Sequence, residues 1–138
     1  MDLKTRRKYH GTIIHSRKIY VFGGGTANIE YYDDNKWNEA GTMTADRQSV
    51  TCWTIDNLIF IASKNSNTIE EYNTSTNETR LIPADYASTS KIIGVIQNEL
   101  YIFSDKSKIF KVQRQAQARR IAFMQVTTMP FEEVADMP

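Results

Sequence analysis

The chain has 138 residues, of which 41% are hydrophobic and 24% charged, and its formal net charge is +1. This length and composition fit a folded protein with a real core, and the balanced charge argues against a dedicated nucleic-acid surface. Cys52 is the single cysteine, which excludes an intrachain disulfide and a cysteine-rich metal site. No apolar stretch approaches the ~18 residues of a membrane span, and the N-terminus lacks the apolar core of a signal peptide. We therefore expect a cytoplasmic protein with no membrane partner.

Short β-type runs recur along the chain at a nearly constant spacing. Tyr20, Phe60 and Tyr101 mark one set of runs and are 40 and 41 residues apart. A second set contains Ile29, Ile69 and Ile109, and a third precedes the first. The three sets cover residues 19–22, 59–62 and 100–103; 28–32, 68–72 and 108–112; and 11–14, 50–53 and 92–95. Their β-branched and aromatic content predicts strands, and the turn residues between them predict tight connections.

A fourth strand is predicted in each repeat. Trp37 stands six residues before Met43, and Phe123 stands six before Met129, while the middle copy keeps a degenerate match at 79–83. Four short strands in about 40 residues leave no room for helices of ordinary length. The sequence therefore predicts an all-β chain of three tandem four-stranded antiparallel units, at about 7–43, 47–85 and 88–129, with a tail at 130–138.

These units resemble kelch repeats. Kelch blades carry an arginine, a His-Gly pair, an apolar strand, a double glycine, a Glu-x-Tyr and a tryptophan before a methionine. The first unit matches at Arg7, His10, Gly11, Gly23, Gly24, Glu30, Tyr32, Trp37 and Met43. The second keeps Arg47, Glu70 and Tyr72 but lacks the glycine pair and the tryptophan, and the third has Ser88 in place of the arginine. The resemblance implies three kelch-type blades that form part of a β-propeller.

Three blades would leave both ends of the arc uncovered, because each propeller sheet packs its two faces against two neighbours. We expect these end faces to be rich in isoleucine, phenylalanine and tyrosine, which is more apolar surface than a monomer usually exposes. A second copy, another chain or the rest of a longer parent protein would cover them. The sequence therefore predicts a homo-oligomer or a propeller completed by further blades.

The predicted partner-binding surface lies on one loop face. In an antiparallel unit, the loop between the second and third strands shares a face with the connection to the next unit. Loops carry function more often than strands, and in kelch adaptors this face often holds partner peptides. The candidate residues are Arg7, Arg47, Lys64, Asn65, Tyr86, Asp105 and Lys106. For the arginines, a structural ion pair is the alternative, for example Arg47 with a glutamate of an adjacent unit.

Other conspicuous residues have structural interpretations. The run Gly23–Gly25 lacks the Lys-Ser/Thr and the helix of a phosphate loop, so we expect it to supply positive φ and close packing between units. Trp37 and the strand tyrosines are expected in the core, and Cys52 is expected to be a buried structural thiol. His10 and His15 are the two histidines, too few for a typical metal site.

The expected function is a non-enzymatic protein–protein interaction module, either a kelch-type scaffold or adaptor or a structural subunit of a larger assembly. We predict no cofactor, no metal and no catalytic residues. The alternative is a fragment of a kelch-type oxidase or sugar epimerase whose catalytic residues lie outside this chain. Nucleic-acid binding through the basic segment 114–120 is disfavoured because no stacking aromatics are interleaved there.

Overall fold

The computed structural model describes residues 3–64, 66–84, 91–104, 108–114 and 131–136. All regular structure in these residues is β, arranged as three antiparallel sheets of four strands, which confirms the predicted all-β fold. Sheet 1 contains β1 (Gly11–His15), β2 (Lys18–Phe22), β3 (Asn28–Asp33) and β4 (Lys36–Thr42). Sheet 2 contains β5 (Val50–Ile55), β6 (Leu58–Ser63), β7 (Thr68–Asn73) and β8 (Glu78–Pro83). Sheet 3 contains β9 (Lys91–Ile96), β10 (Glu99–Ser104), β11 (Lys108–Val112) and β12 (Phe131–Asp136). The described residues include no helix that could cross a membrane.

Each sheet is a meander in which every strand pairs with the next one along the chain. The first hairpin of sheet 1 turns through Ser16 and Arg17, with φ of 50° and 65°, and that of sheet 3 turns through Gln97 and Asn98, with φ of 51° and 63°. Two consecutive positive φ values define the turn whose twist matches that of two antiparallel strands. The predicted turn positions between the first and second strands are therefore confirmed in both sheets.

Sheet 2 lies between the other two sheets and is buried on both faces. Side chains alternate along β6, so Ile59 and Ile61 belong to the core shared with sheet 1 while Phe60 and Ala62 belong to the core shared with sheet 3. All four are fully buried. We call the face of a sheet that points to the following unit its leading face, and the opposite face its trailing face.

Glycines allow sheet 1 to approach the segment that leads into sheet 2. A Cβ atom at Gly23 would lie 2.2 Å from the Arg47 carbonyl oxygen, and the same oxygen accepts a 2.7 Å hydrogen bond from the Gly24 N–H. Both glycines have positive φ, 71° and 84°, which side chains rarely tolerate. The predicted close packing between units is confirmed at Gly23 and Gly24, whereas Gly25 has a positive φ but no atom near the position of a Cβ.

The fourth strands agree with the prediction in two units. Strands β4 and β8 occupy the predicted segments, although β8 is the degenerate copy. In sheet 3, the strand that pairs with β11 is Phe131–Asp136, inside the segment that the sequence analysis treats as a tail. The segment predicted for this strand, 123–129, lies outside the described residues.

Candidate protein-interaction site

Arg7, at the start of unit 1, is held by contacts inside its own unit. Its side chain has no exposed surface and pairs with the equally buried Glu30, with Nη2 2.8 Å and Nε 3.2 Å from Oε1. Its remaining donors reach the carbonyl oxygens of Gly23 and Asn28, each at 2.8 Å. Charge-assisted hydrogen bonds of this kind are the strong ones, so this guanidinium is fully engaged in structure.

Arg47 occupies the equivalent position of unit 2 and is also buried. Its Nη1 donates to Ser63 Oγ, Ser66 Oγ and the Thr68 carbonyl oxygen, and its Nη2 donates to Thr68 Oγ1. Its Nε lies 3.7 Å from Glu70 Oε1, which is an ion pair but too long for a hydrogen bond. Burial lowers the pKa of Arg47, and the Glu70 carboxylate opposes part of that shift.

The two pairs follow one rule, because each glutamate stands 23 residues after its arginine on the third strand of the same sheet. The chain segment that leads into each unit caps the carboxylate. Lys4 N–H donates to Glu30 Oε2 at 2.8 Å, and 40 residues later Thr44 donates to Glu70 Oε1 through its N–H and its hydroxyl. Each arginine thus forms a structural ion pair, which was the alternative to a role in partner binding. The glutamate belongs to the same unit rather than to an adjacent one.

The other predicted loop-face residues are divided between the surface and the part of the chain outside the description. Lys64 is exposed, and it lies beside Arg47 at the rim of a pocket. Asn65, Tyr86, Asp105 and Lys106 lie outside the described residues, as does Ser88.

The pocket beside Arg47 has a volume of about 360 Å³. Its lining is mostly polar and includes Asp46, Arg47, Lys64 and Ser66. Near it, Arg47 Nε and Glu70 Oε2 are buried with no hydrogen-bond partner among the described residues. The combination of cationic side chains and hydroxyl groups in the lining is suited to a small polar or acidic group.

A second surface, which the sequence analysis expects in general terms but does not assign to residues, lies on the trailing face of sheet 1. Ile14 pairs with Ile19, Ile19 with Tyr32, and Tyr32 with Trp37, so these four side chains form one row across the sheet. Ile14 is 74% exposed and Ile19 is 40% exposed, while the two aromatic residues are half-buried. We call these four residues the open row.

The two central positions of this row are buried in the two following units. In sheet 2 the residues equivalent to Ile19 and Tyr32 are Ile59 and Tyr72, which have no exposed surface and pack against sheet 1. In sheet 3 the equivalents are Leu100 and Val112, which pack against sheet 2 with at most 2% exposure. The open row is therefore the part of sheet 1 that corresponds to an internal interface elsewhere in the chain. In the sequence, this surface is indicated by the repeat register, which gives the equivalent residues, together with the alternation of side chains along each strand, which gives the face.

Two expectations about core residues need correction. Trp37 and Tyr32 are half-buried rather than part of the core, because both lie on the trailing face of sheet 1, where Trp37 packs edge-on against Tyr32 with ring centroids 5.3 Å apart. Cys52 was expected to be buried but is only partly buried as a residue, although burial raises the pKa of its thiol to about 12.

Within the described ranges, no three histidine, cysteine, aspartate or glutamate side chains are placed so that they could hold a metal ion.

No protein-family model matches the chain, and no curated protein matches it. The resemblance to kelch repeats therefore depends on the residues quoted above.

Proposed function

We propose that this chain is a non-enzymatic protein-interaction module, a kelch-type partial β-propeller that serves as a scaffold or structural subunit. The observation that carries the proposal is the open row of sheet 1. It presents two exposed isoleucines in register with two half-buried aromatic side chains. A contiguous apolar surface of this kind is typical of a protein–protein contact.

The internal contacts of the chain indicate what this surface binds. The residues equivalent to Ile19 and Tyr32 pack against a four-stranded sheet in both other units. A partner with a blade-like face would extend that pattern, since its flat apolar side chains could interdigitate with the row as sheet 1 does with Ile59 and Tyr72. This favours a structural partner over a flexible peptide.

The arginine contacts also favour a scaffold over an arginine-based adaptor. Arg7 and Arg47 are buried, and their N–H groups donate hydrogen bonds to residues of their own units. A partner peptide would have to displace these hydrogen bonds, which removes much of the gain from a new ion pair.

A peptide adaptor is the second candidate function, and the pocket beside Arg47 supports it. The pocket adjoins a buried arginine and an exposed lysine, Lys64, and could take an acidic side chain.

Site-specific photocrosslinking distinguishes the two candidates. A photoreactive phenylalanine analogue replaces Ile19 on the open row, Lys64 at the pocket or, as a control, Glu78 at the exposed start of β8. The full chain is irradiated in cells that produce it. For a scaffold we expect a discrete protein adduct from position 19 and none from position 78. An adduct confined to position 64 would support the adaptor, and equal yields from all three positions would contradict both.

A further inference from the structure

We propose that the open row of sheet 1 binds the leading face of sheet 3 of a second copy of this chain, so that two copies close head to tail. The inference deepens the proposed function and rests on it, because it names the partner of the same surface. It starts from the contact between sheets 1 and 2, which supplies a template for the contact between copies.

The template interface is built around one tyrosine. Tyr72 on the trailing face of sheet 2 lies between Tyr20 and Phe22 on the leading face of sheet 1, with ring centroids 6.0 Å away in each case. All three side chains are buried. Aromatic rings at this separation add to the free energy gained from burial alone. Ile59 beside Tyr72 and Ile29 beside Phe22 complete the contact.

Sheet 1 carries the trailing half of this interface, and no other sheet of the described residues packs against it. Tyr32 corresponds to Tyr72 and Ile19 to Ile59, and each pair is opposed in the same register, Ile19 with Tyr32 and Ile59 with Tyr72. The segment before sheet 1 is also shaped as in an interface between units, because Lys4 caps Glu30 as Thr44 caps Glu70. The trailing side of unit 1 thus has both the side chains and the backbone arrangement of an internal junction.

Sheet 3 carries the leading half. Tyr101, Phe103 and Ile109 stand at the positions of Tyr20, Phe22 and Ile29. They alternate with Leu100 and Ile102, which face sheet 2, so their side chains lie on the opposite face of the sheet. All three are half-buried, and the Phe103 ring covers Gly94 on the neighbouring strand.

The two halves fit each other better than either fits itself. In the proposed junction Tyr32 of one copy lies between Tyr101 and Phe103 of the other, as Tyr72 lies between Tyr20 and Phe22. A contact between two different surfaces is heterologous, and it must either close into a ring or grow as an open chain. Two copies of a three-sheet arc, related by a twofold axis, form the junction twice and leave neither half uncovered. The closed assembly then contains two sets of three sheets.

The first test is the mass of the full chain in solution at micromolar concentration, measured by light scattering. We expect about twice the 15.9 kDa of one chain. Ile19→Asp places a charge on the open row, where the side chain is already 40% exposed, and should give a folded monomer. Leu81→Asp is the matched control, because Leu81 is 44% exposed but lies on sheet 2, and it should leave the dimer intact.

Mixing two variants tests the head-to-tail arrangement. Tyr101→Asp should also give a monomer, since it damages the leading half of the junction. A mixture of the Ile19→Asp and Tyr101→Asp chains retains one undamaged copy of each half and should form a heterodimer. Circular dichroism of each variant verifies that it is folded, and Phe103→Asp replaces Tyr101→Asp if the latter does not fold.

Several results would overturn the inference. They are a monomeric full chain, assemblies that keep growing with concentration, a dimer that survives Ile19→Asp, and a mixture that stays monomeric. The proposed function fails separately. If the full chain is monomeric but position 19 still crosslinks to a different protein, the interaction module stands and the second copy is the wrong partner.

Discussion

Units 1 and 2 hold the same buried arginine–glutamate pair but surround it with different partners. In unit 1, Glu30 accepts hydrogen bonds from Arg7 and from the N–H groups of Lys4 and Thr5. In unit 2, Arg47 is held mainly by hydroxyl and carbonyl oxygens, and it is 3.7 Å from Glu70. One oxygen of Glu70 and the Nε of Arg47 have no hydrogen-bond partner.

The difference shows that one buried position of a repeat can be fully hydrogen-bonded in one copy and incompletely hydrogen-bonded in the next. Position 23 is a glycine in unit 1, where its carbonyl oxygen binds Arg7, whereas the equivalent Ser63 binds Arg47 through its hydroxyl. A buried polar atom without a partner costs about 1–3 kcal/mol. We therefore expect the pair in unit 2 to contribute less to the free energy of folding than the pair in unit 1. A polar pocket lies beside the pair in unit 2.

The largest expected effect comes from removing the carboxylates one at a time. Glu30→Ala leaves the fully buried Arg7 guanidinium without its counter-charge, and we expect a loss of roughly 3–5 kcal/mol in the free energy of unfolding. Glu70→Ala should cost roughly 1–3 kcal/mol, because Arg47 keeps its oxygen partners and one orphaned oxygen disappears. Urea denaturation followed by circular dichroism measures both.

The double variant Arg7→Met with Glu30→Leu is the control for this comparison. Replacing both members of a buried ion pair by apolar side chains is often close to neutral, so it should recover most of the loss. Equal losses from Glu30→Ala and Glu70→Ala would mean that the two environments do not differ in energy.

A second comparison concerns the aromatic side chains of the same row in covered and open sheets. Tyr72→Ala removes a fully buried ring from the interface between sheets 1 and 2, and should cost roughly 3–5 kcal/mol. Trp37→Ala removes a half-buried ring from the open row, and we expect about 1–2 kcal/mol from the smaller area lost. Both are measured by chemical denaturation in the Ile19→Asp background, so that association of copies does not contribute. A Trp37→Ala loss as large as that of Tyr72→Ala would contradict the open face.

The smallest expected effect is a dependence of stability on pH that unit 1 has and unit 2 lacks. His15 corresponds to the buried Ile55 of unit 2. Its Nε2 donates to the Asp56 carbonyl oxygen at 2.8 Å, and its Nδ1 is 3.2 Å from the Ser16 hydroxyl. Burial, followed by the nearby Lys18, lowers its pKa below 6.5. As the pH falls through 6.5, the unfolded chain binds this proton first, so the folded state loses stability.

Thermal melts at pH 7.5 and pH 5.5 measure this dependence. Because His15 is only partly buried and water screens its charge, we expect a small decrease in melting temperature at the lower pH. His15→Gln should remove that decrease, and His10→Gln, at an exposed site, should retain it. A decrease that persists in His15→Gln would assign it to other groups.

The strands could be predicted from the sequence because their spacing is regular and their composition is strongly β-type. Ile29, Ile69 and Ile109 occupy equivalent third-strand positions, as expected, but their burial differs. Ile29 and Ile69 each face a neighbouring sheet, whereas Ile109 is half-buried on the face of sheet 3 opposite sheet 2, where the described residues place no further sheet. Burial of a strand residue depends on the neighbour that covers it, and the repeat register alone does not supply that neighbour.

The ion pairs had a signal in the sequence that could have identified them. The 23-residue spacing between Arg7 and Glu30 recurs between Arg47 and Glu70, and a repeated spacing between opposite charges indicates a repeated contact. In the third unit, Ser88 and Phe110 stand near the corresponding positions, so both charges are absent together. The fourth strand of sheet 3 was harder to place because its predicted position depended on one match, that of the segment 123–129 with the segment 37–43.

The meander topology has a consequence for how the chain folds. Every strand pairs with its neighbour in sequence, so each sheet contains contacts of short sequence separation and can form early and by itself. The two faces of sheet 2 are covered only when its neighbours dock, and its stability must therefore be acquired late. During synthesis, sheet 1 leaves the ribosome first and sheet 3 last. The central sheet then exposes Phe60 and Ala62 until sheet 3 is complete, which makes that interval the period of greatest risk for aggregation.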